Sequence, residues 1–170
     1  KNIEYIRTSE RETLYGAWNT GIRFAKGEYV TNANTDDRHS ENSLELMSDA
    51  LDKNKHVDLV YANVYESDTA NETYENYNKG VLYQFEDFSF VDAVLRFQFG
   101  PQPMWRKSVH NDIGLFDDKY KAAGDYDFNF RFNLAGKKAL HINQVLGLFL
   151  NRPTSLSNVN PQNSDEGSIV

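Results

Sequence analysis

The sequence contains no cysteine, and only two methionines and four prolines stand among its 170 residues. The absence of cysteine excludes disulfide bonds and thiolate-bound zinc, and it favours a reducing compartment. The sequence also lacks an apolar run long enough to span a bilayer and a signal-peptide pattern at its start. These absences lead us to expect a soluble, cytoplasmic domain.

Basic residues are scarce as well. The chain has 18 Lys and Arg against 25 Asp and Glu, which gives a net charge of -7. Nucleic-acid backbones are bound by concentrated Lys and Arg, so this balance argues against a nucleic-acid partner. The 39% hydrophobic content is typical of one globular domain, and the 14% aromatic content is high. Aromatic residues suit a packed core or a cleft that binds sugars through flat apolar faces.

Hydrophobic spacing predicts strands and helices in alternation. Strands are predicted over residues 2–7, 28–33, 57–64, 138–142 and 145–150, with a further short strand around Met104. Helices are predicted over 14–25, after a Ser40 cap, over 85–97 and over 125–134, and a polar loop or irregular hairpin over 66–79. The first helix is predicted to bury Leu14, Ala17, Trp18, Ile22 and Ala25. Alternation of this kind implies parallel strands covered by helices, with ligands at the carboxyl ends of strands.

Two adjacent carboxylates follow the strand at 28–33, in the run Asn34-Thr35-Asp36-Asp37. Two acids at a strand end attract a cation, and Mg²⁺ or Mn²⁺ takes oxygen ligands of this kind together with phosphate oxygens from a substrate. An Asx-rich turn explains the same residues, because Asn and Asp are also good loop formers. The pair alone leaves both interpretations open.

Two later segments change this balance. They are Gly-Pro-Gln-Pro-Met-Trp-Arg at 100–106 and Ala-Gly-Asp-Tyr-Asp-Phe-Asn-Phe-Arg at 123–131. In order and spacing, from about Glu10 to Ser157, the three segments resemble the family 2 glycosyltransferases, inverting enzymes of the GT-A fold. The resemblance implies an α/β domain over residues 1–152, a mixed sheet with helices on both faces. It also implies that a first βαβ unit precedes this point, so the chain is expected to be an N-terminally truncated part of a larger multidomain protein, with 153–170 as a tail or linker start.

The resemblance assigns the acids to the donor. Asp36 and Asp37 would hold Mn²⁺ or Mg²⁺, and Asn34, Asp36 and Arg38 would bind the nucleotide sugar, with a UDP-sugar favoured by family habit. The family often has Asp-x-Asp-Asp here, and Asn34 replaces the leading acid. An amide can hydrogen-bond a ribose hydroxyl but adds no charge for holding metal.

On the acceptor side, the resemblance makes Asp125 the base that takes a proton from the acceptor hydroxyl. A plain helix cap at Asp125 stays open, and Asp127 is predicted to pair with Arg131 on the helix surface. The segment at 100–106 either lines the acceptor site or forms a rigid turn into a core strand. Its candidate acceptor-side residues are Gly100, Gln102, Trp105 and Arg106.

The expected function is transfer of a sugar from a nucleotide-diphosphate donor to a carbohydrate or glycolipid hydroxyl, with inversion, in bacterial polysaccharide or glycoconjugate synthesis. The reaction is expected in the cytoplasm or at the cytoplasmic face of the membrane. A catalytically inactive GT-A-like module that binds carbohydrate or protein is the alternative, and exposed sheet edges would favour a homodimer. A phosphohydrolase is disfavoured, because the sequence has no His and Asp cluster suited to a two-metal site.

Overall fold

A computed structural model of the chain describes residues 3–77 and 80–153. The predicted tail lies outside the described residues from 154 onward. The described helices are α1 (Leu14–Phe24), α2 (Ser43–Lys53), α3 (Phe90–Leu95), α4 (Val109–Ile113) and α5 (Gly124–Leu134). The described strands are β1 (Tyr29–Thr31), β2 (Arg38–His39), β3 (Leu59–Ser67), β4 (Leu82–Tyr83), β5 (Met104–Arg106) and β6 (Ala139–Leu150).

The strands form one mixed sheet in the order β1-β5-β3-β6-β2, and β4 pairs with the second half of β3. β3 and β6 are parallel, whereas β5 lies antiparallel between β1 and β3. β1, β3 and β6 therefore run in one direction, as the alternating pattern predicts. The sheet is mixed, as the family resemblance implies, because β5, β4 and β2 run antiparallel to their neighbours.

Helices cover both faces of this sheet, as expected for the fold. Alternate residues of β3 point to opposite faces: Leu59 and Tyr61 belong to one hydrophobic cluster, and Val60 and Ala62 belong to the other. The first cluster packs under α1 and α5 and is largely aromatic. The second packs under α2 and is aliphatic. Because β3 is buried on both faces, it forms the centre of the fold and holds the strand ends in place.

The buried face of α1 differs from the predicted one. Thr13 caps the helix, since its Oγ1 accepts a hydrogen bond from the Gly16 amide at 3.1 Å. The buried residues are Tyr15, Asn19 and Ile22, while Leu14 is exposed. Asn19 is buried because its side-chain amide exchanges two hydrogen bonds with the Phe116 backbone, at 2.8 and 3.0 Å. This rotation turns the Tyr15 ring toward the start of α5.

Several predicted boundaries are wrong. The strand predicted at 2–7 is absent from its described part, 3–7, where Ile3 and Tyr5 are each 84% exposed. The helix predicted at 85–97 is limited to α3, because the Ser89 side chain caps the helix there by accepting from the Asp92 amide. The cap of α2 is residue 42 rather than Ser40. The two strands predicted at 138–150 are one strand, β6, whose pairing with β3 is irregular at its middle.

No helix of the described ranges is long and apolar enough to cross a bilayer.

Candidate active site

A cleft of about 860 Å³ opens where β1 and β6 end. Its walls are the first turns of α1, the loop after β1, the turn at 100–103, the start of α5 and the residues that follow β6. β1 and β6 run in the same direction, so their carboxyl ends meet at one edge of the sheet. Ligands of open α/β sheets collect at such an edge.

The loop after β1 brings both acids to this cleft, but the two side chains differ in burial and in hydrogen-bond partners. Asp37 is buried, with only 7% of its surface exposed. Its Oδ1 accepts a hydrogen bond from the Leu150 amide at 3.1 Å, and its Oδ2 accepts from Asn34 Nδ2 at 2.9 Å. Burial raises the pKa of Asp37, and these two donors oppose the rise. Asp37 therefore holds the loop after β1, residues 32–37, against the end of β6. We call this segment the acid loop.

Asp36 is the more accessible acid. About 35% of its side chain is exposed, and its Oδ2 accepts a hydrogen bond from Arg152 Nη2 at 2.7 Å. Among the residues that the structure describes, no group of three or more His, Cys, Asp or Glu side chains could hold a metal ion. A hard cation such as Mg²⁺ is commonly held by one or two carboxylates together with substrate phosphates. Asp36 with Asp37 fits a site of that type and does not form a complete protein cage.

Asp125 lines the same cleft, from the start of α5. It lies in the first turn of α5, whose N-cap is Ala123, so Asp125 does not cap the helix. Its Oδ1 accepts a hydrogen bond from the Tyr126 amide at 2.9 Å, and the Tyr15 hydroxyl lies 3.3 Å from the same oxygen. Burial raises the pKa of Asp125 to about 6, although the helix-start amide and Tyr15 favour the ionised form. A carboxylate with such a pKa is mostly ionised at pH 7 and can still accept a proton.

Gly124 permits the contact between Tyr15 and the start of α5. A Cβ atom at this position would lie 2.7 Å from Tyr15 Cε2, closer than side chains tolerate. The Tyr15 hydroxyl donates a hydrogen bond to the Ala122 carbonyl at 2.6 Å, which ties α1 to the turn before α5. Burial, together with the Asp125 carboxylate, raises the pKa of Tyr15. Tyr15 therefore remains a hydrogen-bond donor beneath Asp125.

The candidate acceptor-side residues have different positions. Gly100 and Trp105 line the cleft. Gly100 has a φ of 64°, a conformation that glycine adopts without strain. Trp105 is only 3% exposed, and its Nε1 donates to His110 Nε2 at 2.9 Å, so it forms part of the floor. Gln102 does not line the cleft, because its buried side chain donates to the Arg38 carbonyl at 3.1 Å.

Both candidate arginines lie outside the cleft lining. Arg38 Nη1 donates to the Asp37 carbonyl at 2.7 Å, a contact that supports the acid loop. Arg106 lies beside the start of β1, whereas the acids follow the end of that strand. Its guanidinium donates to the carbonyls of Val57 and Leu51, at 2.9 and 2.6 Å, and its side chain is 11% exposed. These contacts give Arg106 a role in packing.

Other cleft residues were missed by sequence reasoning. Tyr126, 45% exposed, pairs with Phe97 at a ring-centroid distance of 5.3 Å, and both line the cleft next to Asp125. Lys121 and Arg152 bring positive charge to the cleft lining. Tyr126 could have been found from its place directly after the candidate base. Arg152 had no local signal, because it reaches Asp36 across 116 positions of sequence. The predicted pairing of Asp127 with Arg131 on α5 is confirmed.

Comparisons with known proteins agree with this architecture. Glycosyltransferase GlyG of Streptococcus pneumoniae serotype 4 is 26% identical, over 89% of this chain and 54% of that protein. The chain thus spans about half the length of this curated relative. S. aureus TarS superposes with a TM-score of 0.60 at 18% identity, over 80% of this chain and 24% of that one. A structure of TarS residues 1–349 in complex with UDP superposes with a TM-score of 0.59 at 19% identity, over 79% and 39%.

These structural matches establish the GT-A fold. The family model described as glycosyl transferase family 2 matches residues 1–114 of the 170. The matched part contains α1, the acid loop and strands β1 to β5, and it stops before α5 and β6. The chain belongs to glycosyl transferase family 2.

Proposed function

We propose that this chain carries the catalytic site of an inverting glycosyltransferase that moves a sugar from a UDP-sugar to an acceptor hydroxyl. The observation that carries the proposal is that Asp36, Asp37 and Asp125 line one cleft at the carboxyl ends of β1 and β6. The two acids of the loop after β1 suit a cation and a diphosphate, and the acid at the start of α5 suits an incoming hydroxyl. The UDP complex of TarS, a protein of the same fold, supports a uridine nucleotide.

On the donor side, Asp36 is the acid that faces a ligand, and Asp37 positions the loop that presents it. When bound, a divalent ion supplies positive charge that stabilises the oxygen of the departing diphosphate. Asp36 would hold that ion, with Asp37 as a second carboxylate. Asn34 lines the cleft between β1 and the acids, and its side-chain oxygen would accept a hydrogen bond from the nucleotide. The burial of Asp37 keeps this loop in one conformation before the donor arrives.

On the acceptor side, Asp125 removes the proton from the attacking hydroxyl. The hydroxyl oxygen forms a bond to the anomeric carbon as the bond from that carbon to the diphosphate oxygen breaks, and the proton moves to Asp125. Attack from the side opposite the leaving diphosphate inverts the anomeric carbon. The exposed ring of Tyr126, paired with Phe97, offers a flat apolar surface beside the base. Such surfaces bind sugar rings, which favours a carbohydrate or glycolipid acceptor.

The proposal extends to the protein's setting. We place the reaction in bacterial polysaccharide or glycoconjugate synthesis, in the cytoplasm or at the cytoplasmic face of the membrane. β1, β2 and β4 each pair on one side within the described sheet, so two copies could pair through one of these edges. Measuring the molecular mass in solution by light scattering tests this dimer, which should dissociate when the edge is blocked by proline.

Turnover of nucleotide sugars tests the proposed reaction. Purified protein is incubated with Mn²⁺, a panel of nucleotide sugars and carbohydrate or glycolipid acceptors, and released nucleotide and new glycoside are measured by mass spectrometry. We expect glycoside formation from a UDP-sugar, and a loss of roughly 10²- to 10⁴-fold in Asp125→Asn with UDP binding retained. The matched control is Asp127→Asn, two positions along α5, where activity should change less than about threefold because Asp127 pairs with Arg131.

Two results would contradict the proposal. If no donor is turned over and no nucleotide binds in the presence of Mn²⁺, the chain does not carry a glycosyltransferase site. Release of nucleotide that needs neither acceptor nor Asp125 would indicate hydrolysis instead.

A carbohydrate- or protein-binding module without catalysis is the second candidate. The observation that favours it is that both acids already have protein partners, Asp36 with Arg152 and Asp37 with Asn34 and Leu150. Binding of sugar or nucleotide without turnover of any donor would support this second function.

A further inference from the structure

The ion pair between Asp36 and Arg152 places a cation on the acid that faces the cleft. Arg152 Nη2 donates to Asp36 Oδ2 at 2.7 Å, and the arginine and aspartate side chains are 44% and 35% exposed. A partly exposed ion pair of this kind contributes little to stability. Such a pair can be exchanged at little cost when a ligand enters.

The position of Arg152 is fixed by the sheet. β6 pairs with β3 up to Leu150, and the Asn151 amide donates to the Ser67 carbonyl at 2.8 Å. The Leu150 amide donates to Asp37, so the end of β6 contacts the acid loop two residues before Arg152. The guanidinium is therefore delivered to the acids by an anchored strand end.

The cleft lining has two cations among the described residues, Lys121 and Arg152. Lys121 lies just before the turn that leads to Asp125, the residue on the acceptor side. Arg152 lies beside Asp36, where a donor diphosphate would bind. The planar guanidinium forms paired hydrogen bonds with phosphate oxygens.

We propose that Arg152 is a binding residue for the donor diphosphate and that its pairing with Asp36 holds the cleft ready before the donor enters. On binding, the guanidinium moves from Asp36 to a diphosphate oxygen, and Asp36 becomes available to the divalent ion. Without nucleotide, Arg152 and the ion thus compete for Asp36. With nucleotide bound, Arg152 contacts the diphosphate and Asp36 is available to the ion. This inference rests on the proposed function, since it requires a diphosphate donor.

Two binding measurements on the purified protein test the exchange. Mn²⁺ binding without nucleotide is measured by electron paramagnetic resonance, and UDP binding at saturating Mn²⁺ is measured by calorimetry. The variants are Arg152→Gln and Arg152→Lys, and circular dichroism checks that each is folded. The control is Arg96→Gln, because Arg96 forms an exposed ion pair with Glu86 outside the cleft lining.

The two measurements should change in opposite directions. In Arg152→Gln, Mn²⁺ should bind roughly two- to fivefold more tightly, the range expected when a weak competing ion pair is lost. UDP should bind about tenfold more weakly, because one charge-assisted contact to the diphosphate is missing. Arg152→Lys should recover part of the UDP affinity, and Arg96→Gln should match the wild-type protein in both assays.

Distinct outcomes overturn the inference and the function on which it rests. If the wild-type protein binds UDP but Arg152→Gln binds it equally well, Arg152 does not contact the diphosphate. If Mn²⁺ affinity in Arg152→Gln is unchanged or lower, the exchange at Asp36 is wrong. If the wild-type protein binds no nucleotide, the proposed function itself fails.

Discussion

Replacing Asp125 with asparagine should make the protein more stable at neutral pH while removing its activity. Burial raises the pKa of Asp125 from its ordinary value of 3.8 to about 6. At roughly 1.4 kcal/mol per pKa unit, holding this carboxylate ionised in the folded protein costs about 3 kcal/mol. Asparagine has nearly the same shape, and its Oδ1 can accept the hydrogen bond from the Tyr126 amide. The variant should therefore gain about 1 to 3 kcal/mol in the free energy of unfolding at pH 8.

The pH dependence gives this prediction its sign. Between about pH 4 and pH 6, the folded protein keeps a proton on Asp125 that the unfolded chain has released. Stability contributed at this site is therefore present below pH 4 and lost as the pH rises through 6. The asparagine side chain of the variant does not titrate, so the stability difference between the variant and the wild-type protein should be near zero at pH 4 and should reach its maximum above pH 7.

Urea unfolding followed by circular dichroism at pH 4, 6 and 8 measures this difference. The control is Asp127→Asn, which removes the ion pair with Arg131 on the same helix and should lower stability at pH 8, because both side chains are mostly buried. A variant Asp125→Asn that is less stable than wild type at pH 8, or whose difference from wild type does not change with pH, would refute the argument that Asp125 is held ionised against a desolvation cost.

Three further predictions follow from the same geometry. If Asp125 is the base, kcat/KM for the acceptor should fall about tenfold per pH unit below roughly pH 6, measured with a UDP-sugar donor. Gly124→Ala should lower the free energy of unfolding by about 1 to 3 kcal/mol in urea titrations, because the new methyl group would lie 2.7 Å from the Tyr15 ring. Arg106→Met should cost about 1 to 3 kcal/mol, since two backbone carbonyls lose their donor. UDP affinity should stay unchanged in Arg106→Met. A clear loss of affinity would show that Arg106 takes part in nucleotide binding.

The elements that could be predicted from the sequence are those with a strong local pattern. α1, α2 and β3 follow hydrophobic periods and stop at glycine or polar residues, and α5 follows directly from its Ala-Gly-Asp start. The buried face of α1 could not be predicted, because Asn19 counts as polar until its hydrogen bonds with Phe116 are known. The antiparallel insertion of β5 depends on contacts between distant segments, which no local period encodes.

The same distinction between local patterns and contacts of distant segments applies to the candidate site. The acids at 36, 37 and 125 stand in short motifs with chemical meaning, and all three line the cleft. Arg106 stands in a motif as well, yet its guanidinium is taken up by the carbonyls of Val57 and Leu51. A motif identifies a segment but not the direction of its side chains. Arg152 shows the converse. It stands in no motif, and the fold brings it to Asp36 across 116 positions of sequence.

An amide at position 34 suits this loop better than a third acid would. Asn34 Nδ2 donates to Asp37 Oδ2 at 2.9 Å, inside a site where Asp37 is 7% exposed. An aspartate at 34 would set a second charge against a buried carboxylate, whose pKa burial already raises. A neutral donor instead satisfies that carboxylate and fixes the loop to β6 through Leu150. Asn34 and Asp37 therefore hold the loop in place, and Asp36 is the more exposed acid of the loop, the one that we propose exchanges Arg152 for a ligand.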